Sequence, residues 1–271
     1  MRRLVIAGLG AGLLMLGACG WAMGRNSFDD GARVDERISS IRVANDAGDV
    51  IVRAGETTTV HRKVHYDREQ PGATHRVEGD VLVIESCPAR NCWIDYEITV
   101  PAGTRLDGVL HSGRIEAEGL AAVNLKVDSG DVTLRRVAGA VNLQADSGQV
   151  TLVDIGAAVA VKSDSGDVTV NGAKAAVTIV AESGNVVAGG VGGAVDVRSS
   201  SGDLTLGLVS AQNVRARADS GAVAVTVPRG AYRVRAETDS GTVNSDVADD
   251  PAGGHQLDLH SDNGDITLQY S

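Results

Sequence analysis

Helical periodicity is missing from this 271-residue sequence: no ten-residue stretch repeats apolar positions every three to four residues between capping residues. That excludes a helical bundle and an α/β layer fold. Large rings are also scarce. Aromatics make up 3% of the chain, with a single Phe, so a core must come from Val, Leu, Ile and Ala. Basic charge falls short of acidic charge, 25 Lys and Arg against 35 Asp and Glu, for a formal net charge of −10. A chain of that sign is a poor partner for nucleic acid or for anionic headgroups through a basic patch. Nothing spaces a nucleophile with a base, and the six histidines (His61, His65, His75, His111, His255 and His260) are scattered. Catalysis therefore has no visible constellation, and no cofactor motif occurs.

What the sequence has instead is glycine, 34 residues of it, placed with regularity. Gly113, Gly130, Gly148, Gly166, Gly184, Gly202, Gly221, Gly241 and Gly264 each sit in a turn of the Asp-Ser-Gly-Asp type. From Gly130 to Gly202 every interval is 18 residues; the later ones are 19, 20 and 23. Around each turn apolar residues alternate, as in Val123, Leu125, Val127, then Val132, Leu134, Val137. Adding one period gives Val141, Leu143, Ala145, then Val150, Leu152, Ile155. Alternation at period two is strand-like, and a short fixed repeat is what a stack of β-coils writes into sequence. The predicted fold is all-β: a single-stranded β-helix, or solenoid, of roughly 18-residue two-strand coils running through residues 111–271, with equivalent strands paired in parallel. A β-sandwich suits the strand spacing but gives no reason for repeating turn chemistry at fixed register.

The start of the chain is of another kind. Arg2 and Arg3 precede an apolar stretch from Leu4 to Leu16, too short for a membrane span and typical of an export signal over residues 1–18. The tetrapeptide Leu16-Gly17-Ala18-Cys19 resembles the bacterial lipobox, which implies cleavage before Cys19 and acylation of its thiol, with palmitate-type chains holding the protein to a membrane. Ordinary cleavage near Ala18, leaving Cys19 a stray thiol, is the rival. Gly20 lacks the aspartate that resembles an inner-membrane retention signal, which favours the outer membrane, or its periplasmic face, where the cell has one. In a cell with one membrane the expectation is its outer face. Residues 19–36 read as a flexible tether.

Setting Cys19 aside leaves Cys87 and Cys92 as a pair around Pro88 and Asn91, a loop that an oxidising compartment would staple. A metal pair shared with His61, His65 or His75 is the alternative, although the spacing matches zinc patterns poorly. Residues 37–110 combine a first degenerate coil, from Ile41 to Val52, with a capping β-insertion. Within the insertion, Thr57 to Tyr66 alternates, His75 to Ile84 reads as a hairpin around Glu78-Gly79-Asp80, and Cys92 to Pro101 alternates again.

Tyr96-Glu97-Ile98-Thr99-Val100-Pro101-Ala102-Gly103-Thr104, followed by the repeated Asp-Ser-Gly-Asp-Val-Thr-Leu, resembles a bacterial β-strand-repeat family of putative adhesins. The resemblance spans roughly Ile38 to Leu268. It implies an extracytoplasmic β-solenoid, often anchored or surface-associated, and brings no catalytic residues with it.

Stacked coils stack their turns. Asp128, Asp146, Asp164, Glu182, Ser200, Asp219, Asp239 and Asp262 should form one column, and Asp131, Gln149, Asp167, Asn185, Asp203, Ala222, Thr242 and Asp265 another. Neighbouring carboxylates about 4.8 Å apart repel by about 1–4 kcal/mol, so hydrogen bonds to the next turn, solvent or a divalent cation must relieve them. A calcium ladder would use Asp128, Asp146 and Asp164, though the nonapeptide calcium-roll pattern is absent. Three functions remain: a membrane-anchored binding or adhesion module for a protein or glycan surface partner; a structural, self-associating element; and a polysaccharide-acting β-helix enzyme, for which acids and bases fall out of register and stacking rings are few. The first is the expected one, and the expectation is of no enzyme. The last coil, ending at Tyr270, is read as the terminal rung, its edge blunted by Asp258, His260, Asp262 and Asp265, giving a mostly monomeric protein with weak self-association.

Overall fold

A computed structural model describes residues 26–271. The expected export signal over residues 1–18 and Cys19 lie outside the described residues. The first seven strands are β1 (Asn26–Val34), β2 (Ser40–Asn45), β3 (Val50–Gly55), β4 (Thr58–Tyr66), β5 (His75–Glu78), β6 (Val81–Ile84) and β7 (Trp93–Pro101). Two-strand coils follow: β8 (Arg105–Ser112) with β9 (Ile115–Glu118), β10 (Ala122–Ser129) with β11 (Val132–Arg135), β12 (Val141–Ser147) with β13 (Val150–Ile155), and β14 (Val159–Ser165) with β15 (Val168–Ala173). The series continues with β16 (Val177–Ser183) and β17 (Val186–Val191), β18 (Val195–Ser201) and β19 (Leu204–Leu208), and β20 (Val214–Ser220) and β21 (Val223–Val227). Last come β22 (Tyr232–Ser240) with β23 (Val243–Ser245) and β24 (His255–Asn263) with β25 (Ile266–Tyr270). No helix occurs among the described residues.

Each coil gives one strand to each of two sheets, of 13 and 12 strands. Register follows the repeat: Val123 pairs with Val141, Val141 with Val159, Val159 with Val177, each 18 residues on. Inward side chains of the two sheets meet in one continuous core, with Val132, Leu134, Val150, Leu152, Val168 and Val170 all fully buried. The predicted solenoid is therefore the observed fold. Its core is thin and mostly aliphatic because the coils contribute chiefly Val, Ile, Leu and Ala side chains, the β-branched ones packing well on a pleated surface.

The turn glycines have two reasons to be glycine. Gly166 has φ +115°, a conformation L side chains rarely adopt, and a Cβ built there would lie 2.1 Å from the carbonyl oxygen of Gly148 in the neighbouring coil. The coils approach so closely at this corner that no side chain fits between them.

Both ends depart from simple serial stacking. At the beginning, β2 and β3 pair directly with β8 and β9, so Gly113 sits on Gly48 although 65 residues separate them. The intervening chain runs outward: β6 and β7 add a further parallel rung, and antiparallel β5, β4 and β1 close the end. The expected tether over 19–36 is thereby corrected: Asn26–Val34 is strand β1, paired along its whole length with β4. Its signal was weak because only Phe28, Ala32 and Val34 are apolar and the strand binds through backbone rather than core burial. The boundary drawn at residue 111 falls inside β8.

At the far end the last coil in sequence is not the last in space. Strands β24 and β25 insert between β20/β21 and β22/β23, placing Gly264 on Gly221 and Gly241 on Gly264. The turn columns accordingly run Asp219, Asp262, Asp239 and Ala222, Asp265, Thr242, not in sequence order. The terminal rung is β22/β23, not the coil ending at Tyr270. A return segment of residues 246–254, with Val247 buried in it, makes this possible, and its length accounts for the 23-residue interval.

Candidate functional site

The turn corner is built from short side chains that can reach the next coil. Asp131 accepts a hydrogen bond from Gln149 N at 2.9 Å, Asp167 from Asn185 N at 2.8 Å, Asn185 from Asp203 N at 3.0 Å, and Asp203 from Ala222 N at 2.8 Å. At the ends, Asp49 accepts from Arg114 N at 2.9 Å and Asp265 from Thr242 N at 2.8 Å. This column is a ladder of side chain to backbone bonds, one of the reliefs expected for stacked carboxylates. Those bonds to Thr242 also hold the Asp265 carboxyl below its ordinary range.

In the other column Asp128, Asp164 and Asp262 have side-chain partners of their own. Asp128 pairs with His111 Nδ1 at 2.5 Å and with Lys126 at 3.5 Å; the histidine bond and the lysine charge lower its carboxyl pKa. Asp164 pairs with Lys162 at 3.3 Å. No cluster of three His, Cys, Asp or Glu groups able to hold a metal ion occurs among the described residues, and Asp128, Asp146 and Asp164 stand one per coil.

Lys126 and Lys162 belong to a larger pattern on the outer face of the 12-stranded sheet. Adjacent coils align Lys126, Gln144, Lys162, Val180, Arg198, Arg217 and His260 in one row. A second row runs Asn124, Asn142, Ala160, Thr178, Asp196, Arg215 and Asp258. A shallow groove of about 430 Å³ lies between the rows around Asn124, Asn142, Gln144 and Lys162, and another of about 310 Å³ lies on the far side of the second row around Asp196, Asn213, Arg215 and Gln256; both reach Thr178. The basic groups are held by acids on the same face: Arg198 by Asp196 at 3.4 Å, and Arg215 and Arg217 both by Asp258, at 3.3 and 3.4 Å. Sequence spacing hid this alignment, because the interval lengthens after Gly202 and the last coil is out of order.

The capped end holds a polar hub that sequence reasoning missed. Arg62 occupies an inward position of β4, after Thr58 and Val60 and before Val64, and is only 7% exposed. Its guanidinium donates to both Asp30 oxygens at 2.6 Å, to Gly72 O at 2.7 Å and to Thr74 Oγ1 at 2.9 Å. Tyr96 Oη lies 2.6 Å from Thr74 Oγ1 and donates to Glu85 O at 2.8 Å. Hydrogen bonding to Arg62 lowers the Asp30 pKa, and burial pushes the Tyr96 phenol up to about 12. An arginine at an inward place in an alternating strand was the available signal. Beside the hub, Cys87 and Cys92 are joined in a disulfide, and His65 stacks on Trp93 at 4.6 Å. The histidines remain dispersed: His111 and His260 pair with Asp128 and Asp262, while His75 is half-buried and its pKa is lowered by desolvation.

Compared with known proteins, residues 38–269 match a family model described as Toastrack DUF4097. The chain belongs to the Toastrack DUF4097 family. Similar solved structures include a putative adhesin from Bacteroides fragilis, 16% identical over 92% of this chain and 99% of that one, with a TM-score of 0.46. A putative adhesin from Parabacteroides distasonis is 15% identical over 91% and 97%, with a TM-score of 0.34. A putative cell adhesion protein from Clostridium sporogenes is 11% identical over 92% and 100%, with a TM-score of 0.30. No curated protein matches the chain.

Proposed function

We propose that this Toastrack protein is a binding module of the cell envelope, held to a membrane by lipid on Cys19, whose 12-stranded sheet docks an extended polar partner. The observation that carries the reading is the pair of grooves meeting at Thr178, lined by amides and paired charges at fixed coil spacing. A partner with polar groups repeating along its length, a glycan or an extended peptide, meets polar side chains on most coils, which stand about 4.8 Å apart, with gaps at Ala160 and Val180. Apolar docking is disfavoured, because the exposed large hydrophobics Val109, Val187, Val209 and Val243 are scattered along the stack. A non-enzymatic role accords with Asp131, Asp167, Asp203 and Asp265 tied to backbone donors and with Asp128 and Asp164 tied to cations. Envelope placement is supported by Leu16-Gly17-Ala18-Cys19 and by a disulfide, which an oxidising compartment maintains.

The test is binding of the purified chain to arrays of envelope glycans and extended peptides, alongside a variant carrying Asn124→Ala, Asn142→Ala and Gln144→Ala. The variant should lose at least tenfold in affinity, while Thr151→Lys on the opposite sheet should not. Equal binding by all three proteins rejects the face. Metabolic labelling with a palmitate analogue tests the anchor: label on the wild type but not on Cys19→Ser is expected, and equal labelling refutes it.

A further inference from the structure

Strand β22 ends the 12-stranded sheet and pairs on one side only, with β24. On its open side Tyr232 O accepts a hydrogen bond from Asp250 N, and Val234 N donates to Asp249 Oδ1, both at 2.8 Å. With a period of two, the backbone groups of Ala236 and Thr238 point the same way, where the sheet has no further strand. Half of this edge is thus strapped by Asp249 and Asp250, and half is open.

The side chains on the exposed face of β22 are Arg233, Arg235, Glu237 and Asp239. Read backwards, the order is acid, acid, base, base. An antiparallel two-fold axis at Ala236, the middle of the nine-residue strand, sets Arg235 opposite Glu237 and Arg233 opposite Asp239 of a second copy. It also makes Ala236 with Ala236, and Val234 with Thr238, hydrogen-bonded pairs, as the backbone directions require, and puts the charged pairs at the closer, non-hydrogen-bonded positions. Shifting the axis to Thr238 opposes Glu237 to Asp239; shifting it to Val234 opposes Arg233 to Arg235. One register alone matches charge. In that register Thr238 and Ser240 of the second copy occupy the lane filled by Asp249 and Asp250.

We propose that β22 is a self-complementary pairing edge for a second copy of this chain, centred on Ala236 and held shut by the Asp249–Asp250 strap. The open half cannot pair with itself, because acids would face acids, and the matched register becomes available only when the strap lifts. An isologous contact of this kind closes as a dimer and does not propagate. This inference stands independently of the polar grooves.

The experiment is sedimentation velocity on the full chain in density-matched detergent. Wild type should be monomeric at tens of micromolar. Asp249→Ala with Asp250→Pro removes both strap hydrogen bonds and should tighten dimerisation at least tenfold; Asp249→Ala alone, which leaves the backbone intact, should do so to a smaller degree. Adding Glu237→Arg and Asp239→Arg to the opened chain should return it to monomer, and mixing that protein with an opened Arg233→Glu, Arg235→Glu chain should restore a dimer. Opened variants that stay folded and monomeric overturn the proposal, as does a dimer indifferent to charge reversal. A firm wild-type dimer overturns the strap.

Discussion

Three glycines separate the two constraints at the turn corner. Gly72 has no positive φ and nothing within 4 Å of a built Cβ; Gly79 has φ +66° and the same open space; Gly166 has φ +115° and a backbone oxygen at 2.1 Å. Alanine at Gly72 should be neutral. Alanine at Gly79 meets only the left-handed penalty, about 1 kcal/mol. Alanine at Gly166 must also push its coil from the one before. That strains the bonds from Gly148 N to Ser165 O and from Val150 N to Asp167 O, 3.2 and 2.9 Å long. Losing two such bonds at ~1 kcal/mol each, on top of a steeper backbone penalty, gives about 3–5 kcal/mol. For a chain of this size that is a fall in Tm on the order of 10 °C, against about 3 °C for Gly79→Ala. Valine at Gly166 should be worse than alanine, while lysine at outward Thr169 should be silent. Scanning calorimetry on the series checks the order. If Gly166→Ala and Gly79→Ala melt together, the stacked contact carries no energy and the corner is glycine for φ alone.

The turn ladder predicts that Asp203→Ala costs about 1 kcal/mol by freeing Ala222 N, and that Gln149→Asn adds about 0.5–1 kcal/mol by supplying to Asp167 N the short amide that Asn185 supplies to Asp203; urea melts of both variants decide it. Tyr96 stays protonated to about 12 while an unfolded tyrosine ionises near 10.0, so its contribution is complete below pH 10 and is lost as pH rises toward 12. Tyr96→Phe should flatten that alkaline fall while lowering stability at neutral pH by about 1–3 kcal/mol, because Glu85 O loses its donor; denaturation at pH 8 and pH 11.5 measures both. Replacing Cys87 and Cys92 by serine should cost about 1–3 kcal/mol, read as a lower urea midpoint, and free-thiol counting on the periplasm-purified Cys19→Ser chain should find none.

Most of the solenoid was legible because one physical rule writes it. A parallel stack at fixed register demands the same residue class at the same place in each coil, so Val123, Val141, Val159 and Val177 announce their pairing by spacing alone. The insertion's strands were legible for the ordinary reason that alternation and a Glu78-Gly79-Asp80 turn make a hairpin. Local pattern carries no information about spatial order, and there the expected order of coils was wrong. Nothing in His255 to Tyr270 distinguishes a coil stacked outside β22 from one slipped beneath it, since both present the same apolar set. Only the length of 246–254 hints that the chain has farther to travel.

The same limit explains what was missed of the sites. The row from Lys126 to Arg217 is a property of register across coils, and one extra residue after Gly202 is enough to disperse it in sequence. Arg62 is the opposite case, a single residue out of keeping with its strand, and such exceptions are where a repeat protein departs from its own rule. The open edge belongs to both. Its charges Arg233, Arg235, Glu237 and Asp239 are plain in the sequence, but their antisymmetry matters only once β22 is known to be the last strand of the sheet. Had the coil ending at Tyr270 been terminal, the exposed edge would have carried Gln256, Asp258, His260 and Asp262, which about Leu259 oppose Asp258 to His260 and Gln256 to Asp262 and offer no arginine–carboxylate pair. Inserting that coil beneath β22 exchanges an edge without arginine–carboxylate pairs for a self-complementary one, which is why the strap at Asp249 and Asp250 has something to restrain.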